Sequence, residues 1–224
     1  MPRTSKLKGM PIIHGIHEAL GSSYAVIGLS GLTEPQNELA TASTLTVVSD
    51  NTNDTSEGTG AKTVVLNGID SSGAHLNEVV SMNGTTGVTT SNTYKFLRSI
   101  EVNTIGSAGQ QGVVTIANGG TTIAKIDPNY GVTVDAIKTN VDSVRLKKLT
   151  FSPEYTSTRQ SFQVDVCVKY SAGRVLVIRT FIVDNDKCIH EFDLNEELAS
   201  GQVFVRAKNL GTATVRASVS LSYE

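Results

Sequence analysis

The chain has 224 residues, 39% of them apolar, 5% aromatic and none of them tryptophan. Its net charge of −2 gives no global attraction to nucleic acid or to an anionic membrane surface. No apolar run approaches the roughly 20 residues that a membrane-crossing helix needs. The opening MPRTSKLKGMP also lacks the apolar stretch of a secretory leader, so Cys167 and Cys188 are expected as reduced thiols.

Residues 1–20 are locally basic at Arg3, Lys6 and Lys8 and carry Gly9, Pro11 and Gly15. They read as an extended N-terminal arm that orders only against a partner. Within it IIHGIHEAL has a weak helical look, with His14 and His17 at i, i+3, but no third ligand stands near for a metal. YAVIGLSGL (24–32) predicts a first strand, TEPQNELATAS a polar link, and STLTVVS (43–49) a second strand. The loop 49–60 carries Asp50, Asp54 and Glu57, but not with the ligand order of a calcium-binding EF-hand.

Short runs of Val, Ile, Leu and Thr follow, broken by Gly, Asn and Ser, which is the pattern of antiparallel strands and tight turns. Residues 62–69 and 74–83 flank the turn DSSG, and Asn83-Gly84 signals a hairpin. VTT (88–90) is a strand edge. TYKFLRSIEVNTI (93–105) reads as the best strand of this half, with Tyr94, Phe96, Ile100 and Val102 pointing inward. VVTIAN and TTIAKI form a hairpin across Gly119-Gly120.

DPNYG (127–131) is the sharpest punctuation, and charged residues and long aliphatics become commoner after it. Strands are expected within 133–151, at 161–171, 175–185, 188–194, 202–210 and 212–223, with NEELASGQ as a turn or a single helical turn. In SFQVDVCVKYS the residues Phe162, Val164, Val166 and Val168 share one face, which leaves Cys167 on the more polar one. Together these runs predict an all-β chain of two antiparallel sandwiches, jelly-roll-like or immunoglobulin-like, at 21–130 and 131–224 behind the arm.

No nucleophile elbow, Walker loop, H-E-x-x-H or paired C-x-x-C is present. Gly58-Thr59-Gly60 precedes a strand and not a helix, so no helix N-terminus would face a phosphate. Asp184, Asp186, His190, Glu191 and Asp193 form the densest acidic patch, but His190 and Glu191 alternate in a strand, and the patch reads as an exposed turn. No catalytic, cofactor-binding or metal-binding residue is nominated.

The segment GTGAKTVVLNGIDSSGAHLNEVVSMNGTTGVTTSNTYKFLRSIEV resembles a recurring module of β-sandwich virion structural proteins from tailed bacteriophages, marine and cyanobacterial ones above all. The likeness lies in Gly58-Thr59-Gly60-Ala61, Thr63-Val64, Gly68-Ile69-Asp70, Glu78, Asn83-Gly84-Thr85-Thr86, Val88-Thr89-Thr90 and Phe96-Leu97-Arg98. It implies a non-enzymatic virion component assembled in the host cytoplasm. A capsid cement or decoration protein that binds capsid or tail proteins is expected; a tail, fibre-associated or carbohydrate-binding attachment protein is the alternative. Exposed edges in 86–105 and the arm are the expected contacts, with Arg3, Lys6, Lys8, Tyr94, Phe96 and Arg98 as candidates. Tyr130 joins Tyr94 and Phe96 as a candidate sugar contact. The expected assembly is a homo-oligomer, a trimer or another cyclic ring, and no membrane or specific nucleic-acid partner is implied.

Overall fold

The computed structural model describes residues 12–27, 32–128, 137–139, 143–154, 158–170, 173–186 and 189–224. Among these there is no helix. The strands in chain order begin with β1 (Ile12–Leu20), β2 (Ala25–Val26), β3 (Glu38–Ser43), β4 (Thr46–Ser49), β5 (Ala61–Ile69) and β6 (His75–Ser81). Next come β7 (Val88–Thr89), β8 (Tyr94–Ile105), β9 (Val114–Asn118), β10 (Thr121–Ile126), β11 (Ile137–Thr139) and β12 (Val144–Pro153). The series closes with β13 (Ser161–Lys169), β14 (Val175–Asp184), β15 (His190–Leu198), β16 (Gly201–Asn209) and β17 (Val215–Tyr223).

These strands pair antiparallel into four sheets. Two of them, β3-β8-β5-β6 and β10-β9-β4-β7, share a core that includes Val64, Leu66, Tyr94 and Ile100 from the first and Val47, Val114, Ile116 and Ile123 from the second. The other two are β1-β17-β12-β15 and β11-β16-β13-β14, with β2 added beside β16. Their core joins Leu146, Leu149, Phe151 and Leu221 to Phe162, Val164, Val166 and Val168. Alternation explains both cores, since every second residue of a strand faces the opposing sheet.

Several sequence expectations change here. Residues 12–20 are neither helical nor a free arm: β1 pairs along β17, from Ile12 opposite Ser222 to Leu20 opposite Val215. The β-branched Ile12, Ile13 and Ile16 suit a strand, and Leu20 is fully buried. The first part of the chain therefore completes a sheet built from its last part. The 33–43 link also holds a strand, because Leu39 drops into the first core and β3 pairs with β8. NEEL continues β15, with a register shift where Asn195 takes a positive φ of 47°, a bulge that a short polar residue tolerates.

Asn83-Gly84 does not close a hairpin. After β6 the chain crosses to the other sheet, where β7 pairs with β4. Gly84 at φ 59° donates to the Asp54 carbonyl (2.7 Å), and its own carbonyl accepts from Ser49 N–H (3.0 Å). The expected hairpins at 70–73 and 119–120 do form. At 70–73 Asp70 Oδ1 accepts from Ser72 N–H (2.8 Å) and Ala74 N–H (2.9 Å). Cys167 is buried although it lies on the face with Gln163 and Asp165, because Cys167, Phe204 and Val26 extend the first core. Burial pushes its thiol pKa up to about 12. Cys188 lies outside the described residues.

If β1 belongs to the fold, Leu20→Ala should destabilise the whole protein by about 2–5 kcal/mol. Urea unfolding followed by far-ultraviolet circular dichroism measures this; a passive arm would lose almost nothing.

Candidate functional site

The 49–60 loop, the place where acidic residues invited a cation, is closed around Asp54. This side chain is fully buried. Its Oδ1 accepts from Ala61 N–H (2.6 Å) and Gln111 N–H (3.1 Å), and its Oδ2 from Ser49 Oγ–H (2.6 Å) and Gly112 N–H (2.8 Å). Asp50 Oδ1 accepts from Val113 N–H (2.8 Å). The carboxylate oxygens of Asp54 are thus met by protein donors, as buried charge requires. Among the described residues no group of three or more His, Cys, Asp or Glu is placed to hold a metal ion. The glycines of the GTG motif have a packing reason: a Cβ on Gly60 would lie 2.1 Å from Asp54 Oδ1, and one on Gly58 2.1 Å from the Asn53 carbonyl oxygen.

A pre-ordered polar surface lies on the outer face of β5, β6 and β8. Register places Asn77 opposite Asn67, and Asn67 opposite Ser99. Asn77 Nδ2 donates to Asn67 Oδ1 (2.6 Å), and Asn67 Nδ2 donates to Ser99 Oγ (3.2 Å). Two rows along, the hydroxyls of Thr63 and Thr104 share a hydrogen bond (2.6 Å), and Asn103 Nδ2 donates to Thr63 Oγ1 (3.2 Å). Exposed Val79 lies between those rows, opposite Val65. Beside the asparagine row is an open groove of about 410 Å³ lined by Gly68, His75, Leu76, Arg98 and Ser99 among others.

Of the sequence candidates, Arg98 alone is shown facing solvent, at this groove. Tyr94 and Phe96 are 0% and 3% exposed, so neither ring offers a contact surface. Strand β8 is itself paired on both sides, by β3 and β5. The exposed edges expected in 86–105 therefore reduce to β7, while β3 and β6 are the outer strands of the sheet. Arg3, Lys6, Lys8 and Tyr130 lie outside the described residues. His14 and His17 do not share a face: His14 is exposed and bonded to Ser220 Oγ (2.9 Å), whereas His17 is buried and its pKa is lowered by that burial, opposed by the Asp127 charge. The acidic patch is dispersed. Asp184 bonds Ser161 Oγ (2.5 Å) and pairs with Arg159, while Glu191 pairs with Lys148 (2.9 Å).

The resemblance residue Glu78 has a structural task. Its carboxylate accepts from Ser91 N–H (2.6 Å), Asn92 N–H (3.1 Å), Asn92 Nδ2 (3.0 Å) and Tyr94 O–H (3.1 Å). Burial works against the charge, but the donated hydrogen bonds outweigh it and hold the carboxyl below its ordinary 4.5. Burial, then the Glu78 charge and hydrogen bond, raise the Tyr94 hydroxyl well above its ordinary 10. The Tyr94 ring in turn rests on Gly68, where an added Cβ would come within 2.6 Å of it.

The two cores meet through Asn37, which is buried. Its Nδ2 donates to the Leu97 carbonyl (2.8 Å), its own carbonyl accepts from Leu97 N–H (2.8 Å), and its Oδ1 accepts from Gln202 Nε2 (2.5 Å). A cleft of about 320 Å³ runs along this junction between Pro35, Lys95, Lys169 and Tyr170. Lys169 Nζ donates to the Pro35 carbonyl (2.6 Å) and pairs with Glu34 (3.4 Å). Lys95 Nζ donates to the Leu39 and Ala40 carbonyls. Both ammonium groups are therefore committed to the fold. No protein-family model matches the chain, and neither a curated protein nor a solved structure matches it.

Asp54→Ala strands several buried donors and should cost about 3 kcal/mol or more; Gly60→Ala should be similarly disruptive, with thermal unfolding as the measurement for both. Glu78 has a depressed folded pKa, so its contribution is complete above 4.5 and is lost as pH falls through the folded value. Asp70 and Asp184 are also held low, so the informative comparison is with Glu78→Gln. That variant should be less stable at neutral pH and lose less stability on acidification below 4.5 than the wild type.

Proposed function

We propose that the protein is a structural component of a tailed-phage virion, built as two antiparallel sandwiches and bound to neighbouring virion proteins on the capsid surface. The observation that carries this reading is the outer face of β5, β6 and β8. Its Asn, Ser and Thr side chains are already fixed by cross-strand hydrogen bonds. Such side chains lose little further freedom on binding, and a wide polar face suits an extended protein surface. The resemblance of Gly58–Val102 to phage virion modules supplies the class. Repeated copies on a symmetric shell would give avidity from individually weak contacts, and assembly would take place in the host cytoplasm.

The Arg98 groove supports a second reading, attachment to a host glycan or receptor as a tail-associated protein. Its lining combines a guanidinium, an imidazole and two amides with the apolar surface of Leu76, a mixture that can serve a sugar's hydroxyls and its apolar face.

Co-sedimentation separates the two. Labelled protein mixed with capsids stripped of accessory proteins should pellet with them, and Asn67→Ala/Asn77→Ala should weaken that binding about tenfold, the loss of one to two hydrogen-bond equivalents. Binding to intact host cells with none to capsids would overturn the capsid reading in favour of attachment.

A further inference from the structure

Strand edges expose unpaired backbone donors and acceptors, and proteins commonly guard them with charge, bulges, Gly or Pro. Three of the outer strands here illustrate that rule. β15 carries Glu191, Asp193, Glu196 and Glu197 and is bulged at Asn195. β6 is seven residues long and carries His75, Asn77 and Glu78. β1 contains Gly15 and a register shift after His17.

β14 is less guarded. It is a ten-residue outer strand, VLVIRTFIVD, with neither Gly nor Pro and one register shift, at Ile178, and it pairs only with β13 among the described strands. Its two charged residues are paired, Arg179 with Glu196 and Asp184 with Arg159, and they are fewer than the four acidic residues of β15. Leu176, Val177 and Ile182 are 43%, 40% and 61% exposed. Ile182 stands opposite Gln163 and Val177 opposite Cys167. Gln163 and Cys167 alternate onto one face of β13, so the two apolar side chains share a face of β14.

We propose that β14 is a self-association edge: two copies of this chain pair antiparallel through it about a two-fold axis, joining their sheets into one. The unsatisfied chemistry of an edge specifies an extended strand as its occupant. Antiparallel pairing is self-complementary, because a two-fold brings each end of the strand beside the opposite end of its copy. Arg174 immediately precedes β14 and Asp186 follows it two residues on, both exposed. The pairing therefore sets Arg174 of each copy beside the Asp186 end of the other. With the register shift near Ile178 accommodated, Ile182 of one copy lies beside Val177 of the other, twice across the interface. This inference stands on the edge alone and does not rest on the virion reading.

Sedimentation velocity on the full chain at micromolar concentration tests it. The wild type should be a dimer. Ile182→Lys and Val177→Lys should each give a monomer with an unchanged melting temperature, while Val79→Lys on β6 should leave the dimer intact. Arg174→Asp should weaken dimerisation roughly tenfold, since it makes two symmetric charge pairs repulsive, and adding Asp186→Arg should restore it. The charge-swap pair keeps the test decisive if a lysine variant folds poorly. A monomeric wild type, an assembly other than a two-fold dimer, a dimer indifferent to both lysines, or failure of the double charge reversal to rescue would each overturn the proposal.

Discussion

The buried carboxylate of Asp54 is the constraint on which the first pair of sheets depends. It sits where four segments converge: the end of β4, the 50–60 loop, the start of β5 and the approach to β9. Its two oxygens gather one hydroxyl and three backbone donors from these segments. In a low-dielectric interior a charge so placed is stable only while its donors hold position. The donors, in turn, are edge and loop amides that would otherwise be buried without partners. The glycines at 58, 60 and 112 follow from this demand, because a Cβ at any of them would overlap the loop or the carboxylate within 2.4 Å.

The same device recurs elsewhere and compensates for a low apolar content. At one end of the second pair of sheets Asn185 Oδ1 accepts from Gln160 N–H (2.8 Å), and Asn209 Nδ2 donates to Gln160 Oε1 (3.1 Å) and to the Ala213 carbonyl (2.6 Å). Asp165, also buried, receives Thr180 Oγ1 (2.8 Å) and Arg206 Nε (3.2 Å), and the Arg206 guanidinium lies 4.3 Å from the centre of the Tyr24 ring. Hydrophobic burial holds the sheets face to face, and saturated polar nodes fix the loops at their ends. The Glu78–Tyr94 contact is a smaller member of this set.

What the sequence made legible was whatever depends on local alternation and local turn chemistry. Phe162, Val164, Val166 and Val168 were readable as one buried face of β13, and Gly119-Gly120 as a turn. The misreadings share a cause in non-local pairing. ELATAS is a strand because β8, with Glu38 opposite Phe96, offers it an edge, and IIHGIHEAL because β17 does, with Ile12 opposite Ser222. Cys167 looked polar-faced because the alternation of β13 says nothing of what covers its second face. Tyr94 and Phe96 were inward by alternation, and that reading outweighs their nomination as contacts. The asparagine row of the candidate surface could not be seen, because Asn77, Asn67 and Ser99 become neighbours only once the register of three strands is set. Arg98 has the parity of inward Tyr94, Phe96 and Ile100, and it is exposed because the β5–β8 register shifts there, from Asn67 opposite Ser99 to Gly68 opposite Leu97.

Chain order adds a consequence for folding. The chain contributes β1 and β2 to the second pair of sheets, leaves to form β3 through β10, and returns for β11 through β17. The first pair of sheets is thus an insertion within the second, and its pairings span modest separations, as in the β5–β6 and β9–β10 hairpins. The second pair closes only when β1 meets β17, the most distant strand pairing among the described residues. Because such non-local closure must be made against loop entropy, an already formed first pair of sheets shortens the effective loop that β1 and β17 have to close. Asn37 holds the outgoing segment to Leu97 and to Gln202 of β16, at the point where the chain passes between the two cores. On this topology the inserted part is joined largely by nearer pairings, whereas the outer part needs the β1–β17 contact to close its sheet.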